Sequence, residues 1–136
     1  MKERLYQIID GAPYPLLVTH DEEGFAVARP MALAARAGNV FWFSASAESR
    51  KIEQIRKDPR VTLLFVRQTE FDYASVYGTI AVVTSAERKQ ELWQAEWMEQ
   101  WPGGATDEDY VLLRVEGHRG AYYRGITDES EQLPLP

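Results

Sequence analysis

The chain has 136 residues, of which 45% are hydrophobic and 26% charged, with a formal net charge of −6 and no cysteine. This length suits one domain with a single core. The composition excludes disulfide frameworks, thiolate metal sites and cysteine nucleophiles, and the acidity argues against wrapping nucleic acid or docking on anionic lipid.

The opening MKERLYQIIDGAPYPLL mixes charges among its apolar residues, unlike a secretory signal, and the longest apolar stretches, VTLLFV and IAVV, are strand-length. A cytoplasmic protein without a membrane segment is therefore expected. Leu5, Ile8 and Ile9 lie at helical spacing, and Gly11 and Pro13 stop that helix. YPLLVTHD reads as a strand, DEEG as a turn, and FAVARPMALAAR as a second strand interrupted by Pro30. Proline cannot donate to a ladder, so that point is an edge, a bulge or a place where a ligand replaces the neighbour. VFWFSA is the third strand.

Ser46 or Ser49 can cap a helix whose apolar face is Ile52 and Ile55 and which ends at Asp58-Pro59. RVTLLFV follows as a strand. DYASVYGTIAVV alternates, with Tyr73, Ser75, Tyr77 and Thr79 on one side and Ala74, Val76, Gly78, Ile80 and Val82 on the other. TSAERKQELWQAEWMEQW reads as the longest helix, with a capping-box spacing between Thr84 and Glu87. PGGATDED is a loop, YVLLRVEG and GAYYRG are the closing strands, and the acidic, proline-bearing DESEQLPLP is a frayed tail. One domain over 1–126 and a flexible tail over 127–136 are expected. The order gives a mainly β chain: a barrel or curved antiparallel sheet with helices outside, not a doubly wound parallel sheet.

Little here looks catalytic. His20 and His118 have no partner at metal-ligand spacing, and no metal site is expected. Gly103 and Gly104 lack the strand-to-helix context of a phosphate loop. The stripe Trp93, Trp97, Trp101 reads as packing, not a ring platform. No carboxylate pair stands out as general acid and base.

The sequence SRK at 49–51 is different, because Arg50 and Lys51 fall in the first turn of a helix. The helix dipole disfavours cations there by roughly 0.3–1 kcal/mol each. Either these side chains swing into water, or an anion makes the cluster useful. Free N–H groups, the Ser49 hydroxyl, the Arg50 fork and the Lys51 point charge together suit a phosphate monoester.

RPMALAARAGNVFWFSASAESRKIEQIRKDPRVTLLFV, residues 29–66, resembles the core of the pyridoxamine-5′-phosphate-oxidase-like flavin-binding split barrels. DYASVYGTIAVVT, LWQAEWMEQWPGGATDEDYVLLRV and AYYRG resemble their general-stress-protein branch. The resemblance implies a six-stranded antiparallel split β-barrel with flanking helices, forming a homodimer with FMN at the interface. By position it implies that Arg29, Pro30, Met31 and Ala32 run beside the flavin. It matches Phe43 and Ser44 to an aromatic-hydroxyl pair and Tyr73 to a polar contact. Arg50 and Lys51 would hold the phosphate, with Ser49 beside them. The departures also matter. The oxidase's substrate-phosphate lysine is replaced near Ala34, and its C-terminal tryptophan-and-arginine motif is missing. The implied protein is an FMN-dependent oxidoreductase of unknown substrate, not that oxidase. The alternatives are a non-catalytic flavin carrier or stress sensor, or a split barrel that uses deazaflavin or haem. Dense aromatics (Trp42, Tyr73, Tyr77, Trp93, Trp97, Trp101, Tyr122 and Tyr123) also argue for a second subunit to cover them.

Overall fold

A computed structural model describes residues 2–67, 71–123 and 131–135. In chain order the elements are α1 (Lys2–Asp10), β1 (Leu16–His20), β2 (Ala26–Pro30), β3 (Ala35–Ala37), β4 (Val40–Ser46), α2 (Arg50–Lys57), β5 (Arg60–Arg67), β6 (Asp72–Val83), α3 (Ala86–Leu92), β7 (Tyr110–Tyr123) and β8 (Glu131–Pro134). Two short 3-10 helices, Ala95–Glu99 and Gly104–Thr106, lie between α3 and β7. The strands form one sheet in the order β2-β1-β5-β6-β7-β4-β3, with β8 also paired to β7. Every pairing is antiparallel. The fold is a mainly β split barrel. If β2 and β3 are counted as one interrupted strand, its six expected strands are present and β8 is an addition.

The alternation along each strand decides which face meets the core. Leu17, Phe41, Phe43, Leu63, Phe65, Ala74, Val76 and Leu113 pack inside, joined by Leu5, Ile8 and Ile9 of α1 and by Ile52 and Ile55 of α2. The helical spacing of those five residues is what lets both helices bury one face. α1 is also tied to the sheet by Arg4 on the buried carboxylate of Asp72, which Arg67 contacts as well.

β2 and β3 are the two sheet edges, and Met31–Ala34 runs between them across the open seam. Pro30 ends β2, where no further strand needs its missing N–H. β7 is one continuous strand instead of the two read from the sequence. Its glycines mark close approach, not a turn. A Cβ on Gly117 would lie 2.7 Å from Val76 Cγ1, and one on Gly78 would strike the Glu116 carbonyl oxygen, beside the register shift at Tyr77 and Gly78.

The tail also differs from expectation. Residues 131–134 pair with β7, and Leu133 and Leu135 are buried in the main core. Burying these apolar side chains opposes fraying, at about 25 cal/mol per Å2 removed from water. The remaining expected tail residues, 127–130 and 136, and the Arg124 end of the last strand lie outside the described residues.

The long tryptophan-bearing helix is broken. α3 ends as Trp93 turns extended (φ −57, ψ 135), and Ser85 is the cap instead of Thr84. The break lets the indoles gather around one phenol: Trp93, Trp97 and Trp101 have ring centroids 5.2, 5.8 and 5.2 Å from that of Tyr110. Trp42 and Leu112 complete this second cluster on the sheet's outer side. Burial raises the Tyr110 hydroxyl to about 12, and that hydroxyl donates to the Lys89 carbonyl at 2.9 Å. Most of the aromatics read as needing a second subunit are thus covered within one chain, Tyr122 included. Tyr73, Tyr77 and Tyr123 are left on the outward sheet face.

Candidate functional site

β1 places Leu17 and Thr19 on its core-facing side, and the antiparallel register sets Arg29 of the edge strand β2 opposite Leu17. The guanidinium therefore turns towards α2. It donates to the Leu17 carbonyl at 3.2 Å, to Thr19 Oγ1 at 2.9 Å and to Gln54 Oε1 at 3.2 Å. The Thr19 hydroxyl donates in turn to Gln54 Oε1. None of these partners carries charge. Desolvation lowers the Arg29 pKa, so the protein does not compensate this cation.

Lys51 approaches from the first turn of α2, and Gln54 lies one turn on, so both share one side of the helix. Burial lowers the Lys51 pKa, and the charge of Arg29 lowers it further. Two half-buried cations thus repel each other, with no ion-pair partner among the described residues. An anion would relieve both penalties. The corner can hold a phosphate, using the Arg29 fork, the Lys51 ammonium and the helix N-terminus.

Arg50 faces elsewhere. It lines a cleft of about 580 Å3 between the β1–β2 turn and α2, together with Glu22, Glu23, Glu53, Lys57, Asp58 and Gln54, which borders both this cleft and the corner. Carboxylates there already surround the cations, and Lys57 pairs with Glu22 at 2.8 Å. Ser49 occupies the N-cap position with extended backbone, yet its hydroxyl donates back to the Ser46 carbonyl at 2.8 Å and makes no cap. The expected Ser49–Arg50–Lys51 cluster is therefore split between two environments.

The other sequence-predicted residues scatter. Pro30 and Ala32 are exposed at the seam, and Met31 packs partly against the core. Phe43 is fully buried within that core. Alternation along β4 sends Phe43 inward and Ser44 outward. Ser44, opposite Leu112, is partly buried on the side of the tryptophan cluster. Tyr73 lies on the outward face, stacked on Tyr123 with ring centroids 4.3 Å apart. Sequence reasoning missed Thr19 and Gln54. The i, i+3 spacing of Lys51 and Gln54 was the available signal for Gln54. Thr19 needed the β1–β2 register, which no local pattern supplies.

Among the described residues no group of three His, Asp or Glu is placed to hold a metal, and no helix is long and apolar enough to cross a membrane.

Comparison with known proteins agrees with this architecture. The protein bli-3 of Neurospora crassa is 29% identical over 115 residues, covering 76% of this chain and 54% of that protein. The chain therefore spans about half the length of this curated relative. A Clostridium acetobutylicum protein related to general stress protein 26 of B. subtilis superposes with a TM-score of 0.86 at 23% identity, covering 97% of this chain and 92% of that one. A pyridoxamine 5′-phosphate oxidase-related, FMN binding protein from Nostoc punctiforme gives 0.64 at 16%, covering 98% and 92%. A heme binding protein from Mycobacterium smegmatis gives 0.76 at 13%, covering 97% and 57%. At these identities the structures speak for the fold. Residues 1–131 match the family described as pyridoxamine 5′-phosphate oxidase like, and the chain belongs to that family.

Proposed function

We propose that the chain binds FMN, with the phosphate held by Arg29 and Lys51, and acts as an oxidoreductase. The carrying observation is the pair of half-buried cations whose pKa values are lowered by desolvation and, at Lys51, by the Arg29 charge, with no carboxylate between them among the described residues. A dianionic phosphate matches that corner in charge and in hydrogen-bonding needs. The flavin, when bound, supplies hydride or electron transfer. The chain's own part is to bind, to orient and to shield. Arg29 is preset by Thr19 and Gln54, and Pro30, Met31 and Ala32 at the seam are within chain reach of the same ligand.

The resemblance implies that the oxidase's substrate-phosphate lysine is replaced near Ala34, so a vitamin-phosphate substrate is not part of this reading. The same loss favours a second reading, a flavin carrier or stress sensor without turnover. We further propose a homodimer across the outward sheet face. There Val66 is 46% exposed beside Tyr73, an exposed apolar strip that a second copy would cover. Phe43, Ser44 and Tyr73 would contact the flavin only through backbone or from that face.

An absorbance scan of the purified protein separates flavin from deazaflavin or haem. Titration then compares FMN with riboflavin, and nicotinamide donors test reduction and reoxidation. Tighter FMN with steady turnover supports the enzyme, and tight FMN with none supports the carrier. Equal affinity for FMN and riboflavin contradicts the phosphate assignment.

A further inference from the structure

A guanidinium grips an anion with two parallel N–H bonds, and it has two such forks, Nη1 with Nη2 and Nε with Nη2. Both forks use Nη2. In Arg29 both Nη2 hydrogens are already engaged, one by Thr19 Oγ1 at 2.9 Å and one by Gln54 Oε1 at 3.2 Å. Nη1 donates to the Leu17 carbonyl. A two-pronged grip on an anion is therefore closed until one partner of Nη2 leaves.

The two partners are not equally free to leave. Thr19 is fully buried, its backbone is paired with Val27, and its branched side chain has few rotamers. Gln54 is a long side chain on α2, only half-buried, and it also lines the open cleft of about 580 Å3. Its amide oxygen accepts from both Arg29 and the Thr19 hydroxyl, so two donors converge on one oxygen. The amide nitrogen has no acceptor among the described residues, and the neighbouring cleft is lined by the carboxylates of Glu22, Glu23 and Glu53. The side chain thus has both room and acceptors on its other side. What displaces it is a matter of charge. An amide oxygen is a neutral acceptor, and a hydrogen bond to an ionised oxygen is roughly twice as strong. A water or a ligand hydroxyl gains little by the exchange.

We propose that Gln54 is a specificity-determining residue of the corner: in the free chain its amide oxygen fills the place of one anion oxygen, and only a charged acceptor drives it out towards the cleft. The entering oxygen inherits the Arg29 and Thr19 donors and opens the fork. This rests on the reading of the corner as an anion site, but not on the anion belonging to a flavin.

The test is a titration of the full-length protein with inorganic phosphate, followed by the side-chain amide NMR resonances of Gln54. Phosphate is expected to shift them saturably, and glycerol, a neutral hydroxyl ligand, to leave them in place. Gln54→Met keeps an unbranched side chain and removes the competing acceptor. It is expected to bind phosphate about three- to tenfold more tightly, the value of one neutral hydrogen bond. A residue that merely props Arg29 would give the opposite sign. Phosphate leaving the Gln54 amide unmoved, glycerol moving it equally, or weaker phosphate binding by Gln54→Met would each overturn the proposal. The two readings fail separately. If phosphate displaces the amide while FMN binds no better than riboflavin, the flavin reading falls and this one stands. If FMN is preferred while phosphate leaves the amide unmoved, this one falls alone.

Discussion

Adjacent positions at the start of α2 meet different electrostatics. On one side Lys51 meets Arg29 in a half-buried corner whose other polar groups, Thr19 and Gln54, are neutral. On the other side Arg50 shares an open cleft with Glu53, Glu22 and Asp58. The two basic residues are adjacent in sequence, but one step along a helix rotates a side chain by about 100°. The difference teaches that a basic pair is not a unit. The useful cation is the one kept away from carboxylates and partly out of water, where its charge is least screened. Arg50 in contrast lines an open cleft that also holds carboxylates.

The comparison can be broken most severely from the corner side. Replacing both Arg29 and Lys51 by Ala is expected to weaken FMN by about a hundredfold or more relative to riboflavin, because charge-assisted hydrogen bonds are worth about 1.5–3 kcal/mol each. Fluorescence titration of the two flavins checks this, and a parallel loss for both would point to a folding defect.

A milder change imports the cleft's chemistry into the corner. Gln54→Glu would set a carboxylate beside Arg29 and one helical turn from Lys51. FMN is then expected to bind about tenfold more weakly, roughly the value of one competing charge contact. Riboflavin should be nearly unaffected, and thermal unfolding should show the fold retained.

The pH dependence sharpens the comparison further. The folded-state pKa of Lys51 lies below its ordinary 10.5, so its proton is lost earlier as pH rises. The preference for FMN over riboflavin should therefore be full near neutrality and decline before pH 10.5 is reached. In a Lys51→Ala protein that decline should be absent. The sign follows from linkage: the anion favours the protonated lysine, so affinity falls with the proton.

Much of this was legible in the sequence wherever local pattern and tertiary demand agreed. Leu5, Ile8 and Ile9 in α1 and the stop at Asp58-Pro59 appear as read, and β6 alternates as read apart from buried Ser75 and the register shift at Tyr77 and Gly78. The misreadings fall where long-range packing overrides a local signal. The periodic Leu92–Trp101 stretch is broken because its indoles wrap around Tyr110. The polar tail around Leu133 becomes a strand because the far half of β7 has a free edge and the core has room for two leucines. At the site, the helix start and its two cations were visible, but the division between Arg50 and Lys51 was not. It depends on which side of α2 meets the edge strand, and that is set by sheet register across many residues. Phe43 shows the same limit, since a position along a strand does not reveal which face is the core.

The most direct test sets the two neighbours side by side. Arg50→Ala and Lys51→Ala proteins are each titrated with FMN and with riboflavin, and the ratio of affinities is compared with that of the unaltered chain. The account predicts that Lys51→Ala lowers the ratio by about tenfold or more, as expected for losing a partly desolvated charge contact. Arg50→Ala should leave it within about threefold, as for a solvent-screened surface charge. A larger fall in Arg50→Ala than in Lys51→Ala, or no fall in either, would contradict it.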